Sequence, residues 1–139
     1  MRSRRTWSVL LFCLGVALAG SCAAAGDDPI PELSGITHIE IWRGRQLVAR
    51  ISEPGRVAAI VAFANRLRSG WGKPWAGVPV GDARAVFYRE QEVRGSLGVG
   101  VDFFETQRIG DFFARRAEPG EAVEFRKLLG IPLSGPDAR

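Results

Sequence analysis

The chain has 139 residues, 46% apolar and 24% charged, with 19 Lys+Arg against 15 Asp+Glu and a formal charge of +4. Those proportions exclude wholesale disorder, and the length fits one domain while leaving little room for two. One His and two Cys exclude a structural zinc site, which needs several such ligands.

Arg2, Arg4 and Arg5 precede an apolar run from Val9 to Ala19, broken only by Gly15. The run is roughly half the ~20 residues a membrane-spanning helix requires. A basic start, a short apolar stretch and then small residues read as a secretory signal peptide over 1–21. Cleavage after Ala25 is the alternative, since Ala23-Ala24-Ala25 satisfies the small-x-small rule. Cys13 leaves with the leader and Cys22 is either modified or removed, so the exported domain is expected to carry no disulfide. Three basic charges leave as well. The remaining 16 Lys+Arg face 15 Asp+Glu, and nucleic acid loses its main support as a partner.

Leu18-Ala19-Gly20-Ser21-Cys22 resembles the lipobox of bacterial lipoproteins. It departs from the usual pattern in having its large aliphatic residue four positions before the Cys instead of three. The resemblance implies lipidation at Cys22 and a membrane anchor there. Ala23 after the Cys, where Asp would signal retention, implies the periplasmic face of the outer membrane. Cleavage after Ala25 would instead release a soluble periplasmic or secreted protein.

Residues 22–35 are small, acidic and Pro-containing without periodicity, and read as a flexible tether. A single domain is expected over 36–133, followed by a disordered tail over 134–139. Ile36 to Arg43 alternates with Ile39 and Ile41 on one face and His38, Glu40 and Trp42 on the other. Gly44 turns the chain and Leu47, Ala49 and Ile51 resume the alternation, which predicts a β-hairpin. Ser52-Glu53-Pro54 starts a helix, with Ser52 as a cap and Val57, Ile60, Val61, Ala64 and Leu67 at helical spacing. Residues 70–82 hold four Gly, two Pro and two Trp and predict a long irregular loop. Strands follow at 83–89, 93–101 and 112–116. Pro119 then opens a short helix whose apolar face is Ala122, Phe125, Leu128 and Leu129. The order ββα-βββ-α predicts an α+β fold, with an antiparallel sheet of about five strands and two helices.

His38 and Glu40 share a strand face and are the candidates for acid–base catalysis. A dyad so spaced is more often a solvated pair on an outer sheet face. Asp102, Glu105 and Asp111 do not match a calcium loop. Gly98-Val99-Gly100 lacks the third Gly of a dinucleotide fingerprint, Phe103 standing in its place. Those glycines instead mark a bulge or a place where another group packs closely on the strand. No metal or cofactor is expected. Two aromatic features suit binding: Trp71-Gly72-Lys73-Pro74-Trp75, and the echo of Asp102-Phe103-Phe104 in Asp111-Phe112-Phe113. Trp71 and Trp75 either stack on a ligand with Lys73 beside them or fold back to cap the core. Each Phe pair puts one ring on either side of a sheet, so Phe103 or Phe104, and Phe112 or Phe113, can form an exposed aromatic stripe.

Signal and architecture together resemble the small bacterial cell-envelope lipoproteins. The resulting expectation is a non-catalytic envelope domain that binds a protein or envelope component through an aromatic surface. A small secreted hydrolase using His38 and Glu40, and a periplasmic inhibitor or folding factor, are the alternatives.

Overall fold

In the computed structural model the described residues are 29–132 apart from Trp75 and Val78. The leader, residues 22–28, Trp75 and the tail lie outside them, and the rest of the expected tether is not free: Ile30 and Leu33 are buried in the core, and Leu33 exchanges two hydrogen bonds of 2.9 Å with the Asn65 side chain. Eight elements run in the order β1 (His38–Arg43), β2 (Gln46–Ile51), α1 (Pro54–Arg66), β3 (Ala83–Arg89), β4 (Glu92–Val99), β5 (Phe103–Arg108), β6 (Asp111–Arg116) and α2 (Glu121–Leu129). All six strands pair antiparallel in one sheet of order β2-β1-β3-β4-β5-β6.

The fold class is the α+β one that the patterning indicates, with one strand more. Phe103–Arg108 forms β5 because alternation there sends Phe104 and Thr106 into the core. Gly110, at φ 78°, supplies the left-handed turn that returns β6 alongside. At the first helix the cap is Glu53 rather than Ser52. Pro54 fixes the first helical position, so the residue immediately before it becomes the cap. The Glu53 carboxylate accepts from the backbone N–H groups of Gly55 (2.9 Å) and Arg56 (2.7 Å). α2 begins at Glu121, two residues after Pro119.

Both helices supply side chains to one face of the sheet. Val57, Ile60, Phe63 and Ala64 of α1 and Ala122, Phe125 and Leu129 of α2 are buried. They join Ile39, Ile41, Ala85, Phe87, Leu97, Val99 and Phe104 from the strands in one core cluster. At its centre Phe63 stacks on Phe125 with ring centroids 4.9 Å apart, and Phe104 meets Phe125 edge-on at 5.8 Å. Arg126, also buried, reaches from α2 to the Asp82 carboxylate (2.5 Å) and the Gly100 carbonyl (3.1 Å). It ties the second helix to the ends of β3 and β4. On the outer edge strand β2 only Ile51 is buried, and Leu47 and Ala49 are exposed.

Candidate functional site: a groove beside the last strand

The loop after α1 returns to the far edge of the sheet. Gly72 and Ala114 exchange two backbone hydrogen bonds of 2.9 Å each, which occupies part of the open edge of β6. This pairing leaves a groove of about 660 Å³. One wall is Gly70, Trp71, Gly72, Lys73, Pro74 and Pro79, and the other is Asp102, Phe103, Ala114, Arg115 and Arg116.

Trp71 folds back on the core, one of the two placements the sequence allowed, and still reaches the groove. Its indole N–H donates to the Leu67 carbonyl (2.7 Å) and the ring packs partly buried on the core, while the same residue lines the groove. With its N–H already used, it offers the groove a ring and not a donor. Lys73 pairs with Asp111 at 3.0 Å and lies 5.9 Å from the Phe113 ring centroid. Arg115 points inward from β6. Its side chain is 8% exposed, it pairs with Glu121 at 3.1 Å, and its guanidinium lies 5.8 Å from the Phe104 ring centroid. Its Nε is buried without a hydrogen-bond partner.

The two Phe pairs do not form one stripe. Antiparallel pairing sets the start of β5 against the end of β6, so Phe103 faces Arg116 and Phe104 faces Arg115, while Phe112 pairs with Gln107 and Phe113 with Thr106. The pairs therefore sit at opposite ends of the hairpin. Phe104 is wholly buried and belongs to the core, while Phe103, Phe112 and Phe113 are half-buried. Of the aromatic residues singled out by sequence, the groove gathers Trp71 and Phe103, with Lys73 beside them. Phe113 adjoins it only through Lys73.

Gly98 of β4 and Gly100 just after it explain how β5 is seated. A Cβ on Gly98 would fall within the Glu105 carboxylate, and one on Gly100 within the Phe103 ring. Bare backbone at these two positions lets Glu105 and Phe103 lie flat across the neighbouring strand. Glu105, its side chain 2% exposed, thereby reaches Arg84 on β3 with bonds from Nη2 of 2.7 and 2.9 Å to its two oxygens.

His38 and Glu40 share the outer sheet face, as the alternation requires, but the carboxylate is engaged elsewhere. Arg50 donates to it at 2.6 Å and the Trp42 indole at 3.2 Å. The Arg50 bond is the main reason the Glu40 carboxyl sits below its ordinary pKa, with Tyr88 and Trp42 adding to it. The Tyr88 hydroxyl is pushed up, first by burial and then by the Glu40 charge. His38 stacks face to face on the Tyr88 ring at 4.7 Å. A second cavity of about 420 Å³ lies on this face, lined in part by Trp42, Arg84, Val86, Tyr88 and Glu105. A carboxylate held ionised by an arginine makes a poor proton acceptor.

Among the described residues no three His, Cys, Asp or Glu side chains come together as a metal-binding set. No described helix is long and apolar enough to cross a membrane. The chain matches no protein-family model, and comparisons with curated proteins and with solved structures found no similar one.

Sequence reasoning missed Arg115 and Arg116. Their signal was present in β6, where period-2 alternation places two successive arginines on opposite faces of a strand beside the Trp-bearing loop. It also missed the Arg84–Glu105 and Glu40–Arg50 pairs, whose members lie 21 and 10 residues apart and meet only through strand register.

Proposed function

We propose that this chain is a non-catalytic cell-envelope protein, anchored by a lipid at Cys22, whose folded domain binds an envelope component or partner protein in the groove between residues 70–79 and the end of the β5–β6 hairpin. The observation that carries the binding reading is the convergence of Trp71, Lys73 and Phe103, drawn from segments some thirty residues apart, on one cavity. Aromatic rings beside cationic side chains in a concave site suit recognition of a ligand with an apolar or ring-bearing body. The anchor reading rests on the leader and the lipobox-like segment. Periplasmic placement on the outer membrane follows from the same segment.

The His38/Glu40 hydrolase reading has less support. Glu40 is committed to Arg50 and Trp42, and His38 is stacked on a tyrosine instead of being oriented by a carboxylate.

The test is retention of an envelope component on the immobilised chain. Trp71→Ala, Phe103→Ala and Lys73→Ala are expected to lose it, while Val48→Ala on the opposite edge and His38→Ala retain it. Retention untouched by the three groove substitutions overturns the reading. Mass spectrometry of the mature N-terminus tests the anchor: a diacylated Cys22 supports it, and a chain starting at Gly26 overturns it.

A further inference from the structure

We infer that the groove takes an oxyanion, a phosphate or carboxylate group carried on a body with apolar or ring surface. The inference rests on the binding reading above and specifies the chemistry of its ligand. Three cationic side chains, Lys73, Arg115 and Arg116, line the groove against one acidic residue, Asp102. The charges of the first two are shared. Lys73 pairs with Asp111, but both members are more than half exposed, and such a pair is easily exchanged for another anion in water. Arg115 pairs with Glu121 through one nitrogen. Arg116 is exposed and has no ion-pair partner among the described residues.

Arg115 supplies the second observation. Its side chain is more than nine-tenths buried, with the guanidinium between the Phe104 ring and Glu121, and its buried Nε–H has no acceptor. A Cβ on Gly70, a lining residue of the same groove, would come within 3.7 Å of that Nε. An orphaned charged donor in a groove wall is a standing cost that an acceptor entering there would relieve. Guanidinium groups bind two oxygens of one phosphate or carboxylate in a fork, and Arg116, on the opposite face of β6, adds a second cation to the lining of the same groove. The remaining walls, Trp71, Phe103, Pro74 and Pro79, offer surface without free donors. One anionic group at the arginines and an apolar or ring-bearing body against the rings satisfy the whole site.

The experiment is a titration of the full chain, followed by NMR at the arginine Nε–H and tryptophan indole N–H resonances. The probes are inorganic phosphate, glucuronate and, as a neutral control, glucose. Phosphate and glucuronate are expected to shift the Arg115, Arg116 and Trp71 signals saturably, and glucose to leave them in place. Arg116→Gln is expected to weaken phosphate binding roughly tenfold, and Arg116→Lys to recover only part of it. Vesicles of phosphatidylglycerol against vesicles of phosphatidylcholine distinguish the source: selective capture by the anionic vesicles assigns a lipid headgroup, and equal indifference to both assigns a free ligand. No saturable shift with phosphate or glucuronate up to about 100 mM overturns the inference. So does a phosphate affinity unchanged in Arg116→Gln. If the oxyanions fail while an envelope component is still lost on Trp71→Ala, only the oxyanion falls and the binding reading stands. If neither effect appears, both fall.

Discussion

Substituting Gly98 by alanine addresses the seating of β5, the strand that carries Phe103 to the groove. A methyl group at 98 would occupy the volume of the Glu105 carboxylate, so that carboxylate must leave Arg84 and the face of β4. Breaking a buried ion pair costs about 3–5 kcal/mol. The lower part of that range applies, because the Arg84 side chain is one-third exposed and can return to water. Replacing a strand glycine by alanine returns about 0.5–1 kcal/mol of chain entropy, leaving a net loss of ~2–4 kcal/mol. For a domain of this size that lowers Tm by roughly 10–30 °C. The assay is urea and thermal unfolding by circular dichroism on the wild type, Gly98→Ala, Glu105→Ala and the double variant. With Glu105 truncated to alanine, the side-chain atoms nearest to a methyl at 98 are gone, so the cycle should show a coupling of about 3 kcal/mol. Stability of Gly98→Ala within about 0.5 kcal/mol of wild type, or a strictly additive cycle, refutes the reasoning.

Phe63→Ala removes the ring that stacks on Phe125 and should cost about 3–5 kcal/mol in chemical unfolding; a loss below ~1 kcal/mol would mean that the aromatic centre is not the core's keystone. The Glu40 carboxyl is lowered in the folded state, chiefly by Arg50, so its contribution is present above the unfolded carboxylate value and lost as pH falls through the folded one. Unfolding free energy measured below about pH 4.5 should therefore fall less steeply with acidification in Glu40→Gln than in wild type, and an identical slope contradicts the assignment. Trp71→Ala removes both a core cap and the bond to the Leu67 carbonyl; it should lower Tm as well as abolish ligand retention. Phe103→Ala should affect retention with the smaller loss of stability, as measured in the same melts.

Much of the architecture is legible in local patterns. The hairpin of β1 and β2, the first helix and the alternation of β4 each carry their period within a dozen residues. β5 does not, because Phe103-Phe104-Glu105-Thr106-Gln107-Arg108 hides its inward positions behind a doubled Phe and a buried Thr. Phe63 falls between two more regular helix positions, yet it is among the largest buried side chains. At the groove, composition located Trp71 and Lys73, and Gly98 and Gly100 marked either a bulge or a close approach. What approaches them, Glu105 and Phe103, is decided by pairing Gly98 with Glu105 across strands, a register that no local pattern encodes. The same non-locality hid Arg115: an arginine in a strand reads as solvent-facing until Phe104 and Glu121 arrive from elsewhere in the chain to bury it.

The central claim is that ligand is held in the groove beside β6. A photo-crosslinking amino acid placed in turn at Lys73, Phe103 and Arg116, and at Val48 and Val93 as controls, tests it in intact cells. The account predicts a shared adduct from the three groove positions that the two control positions do not form. Adducts of equal yield from Val48 or Val93, or none from the groove, would contradict it.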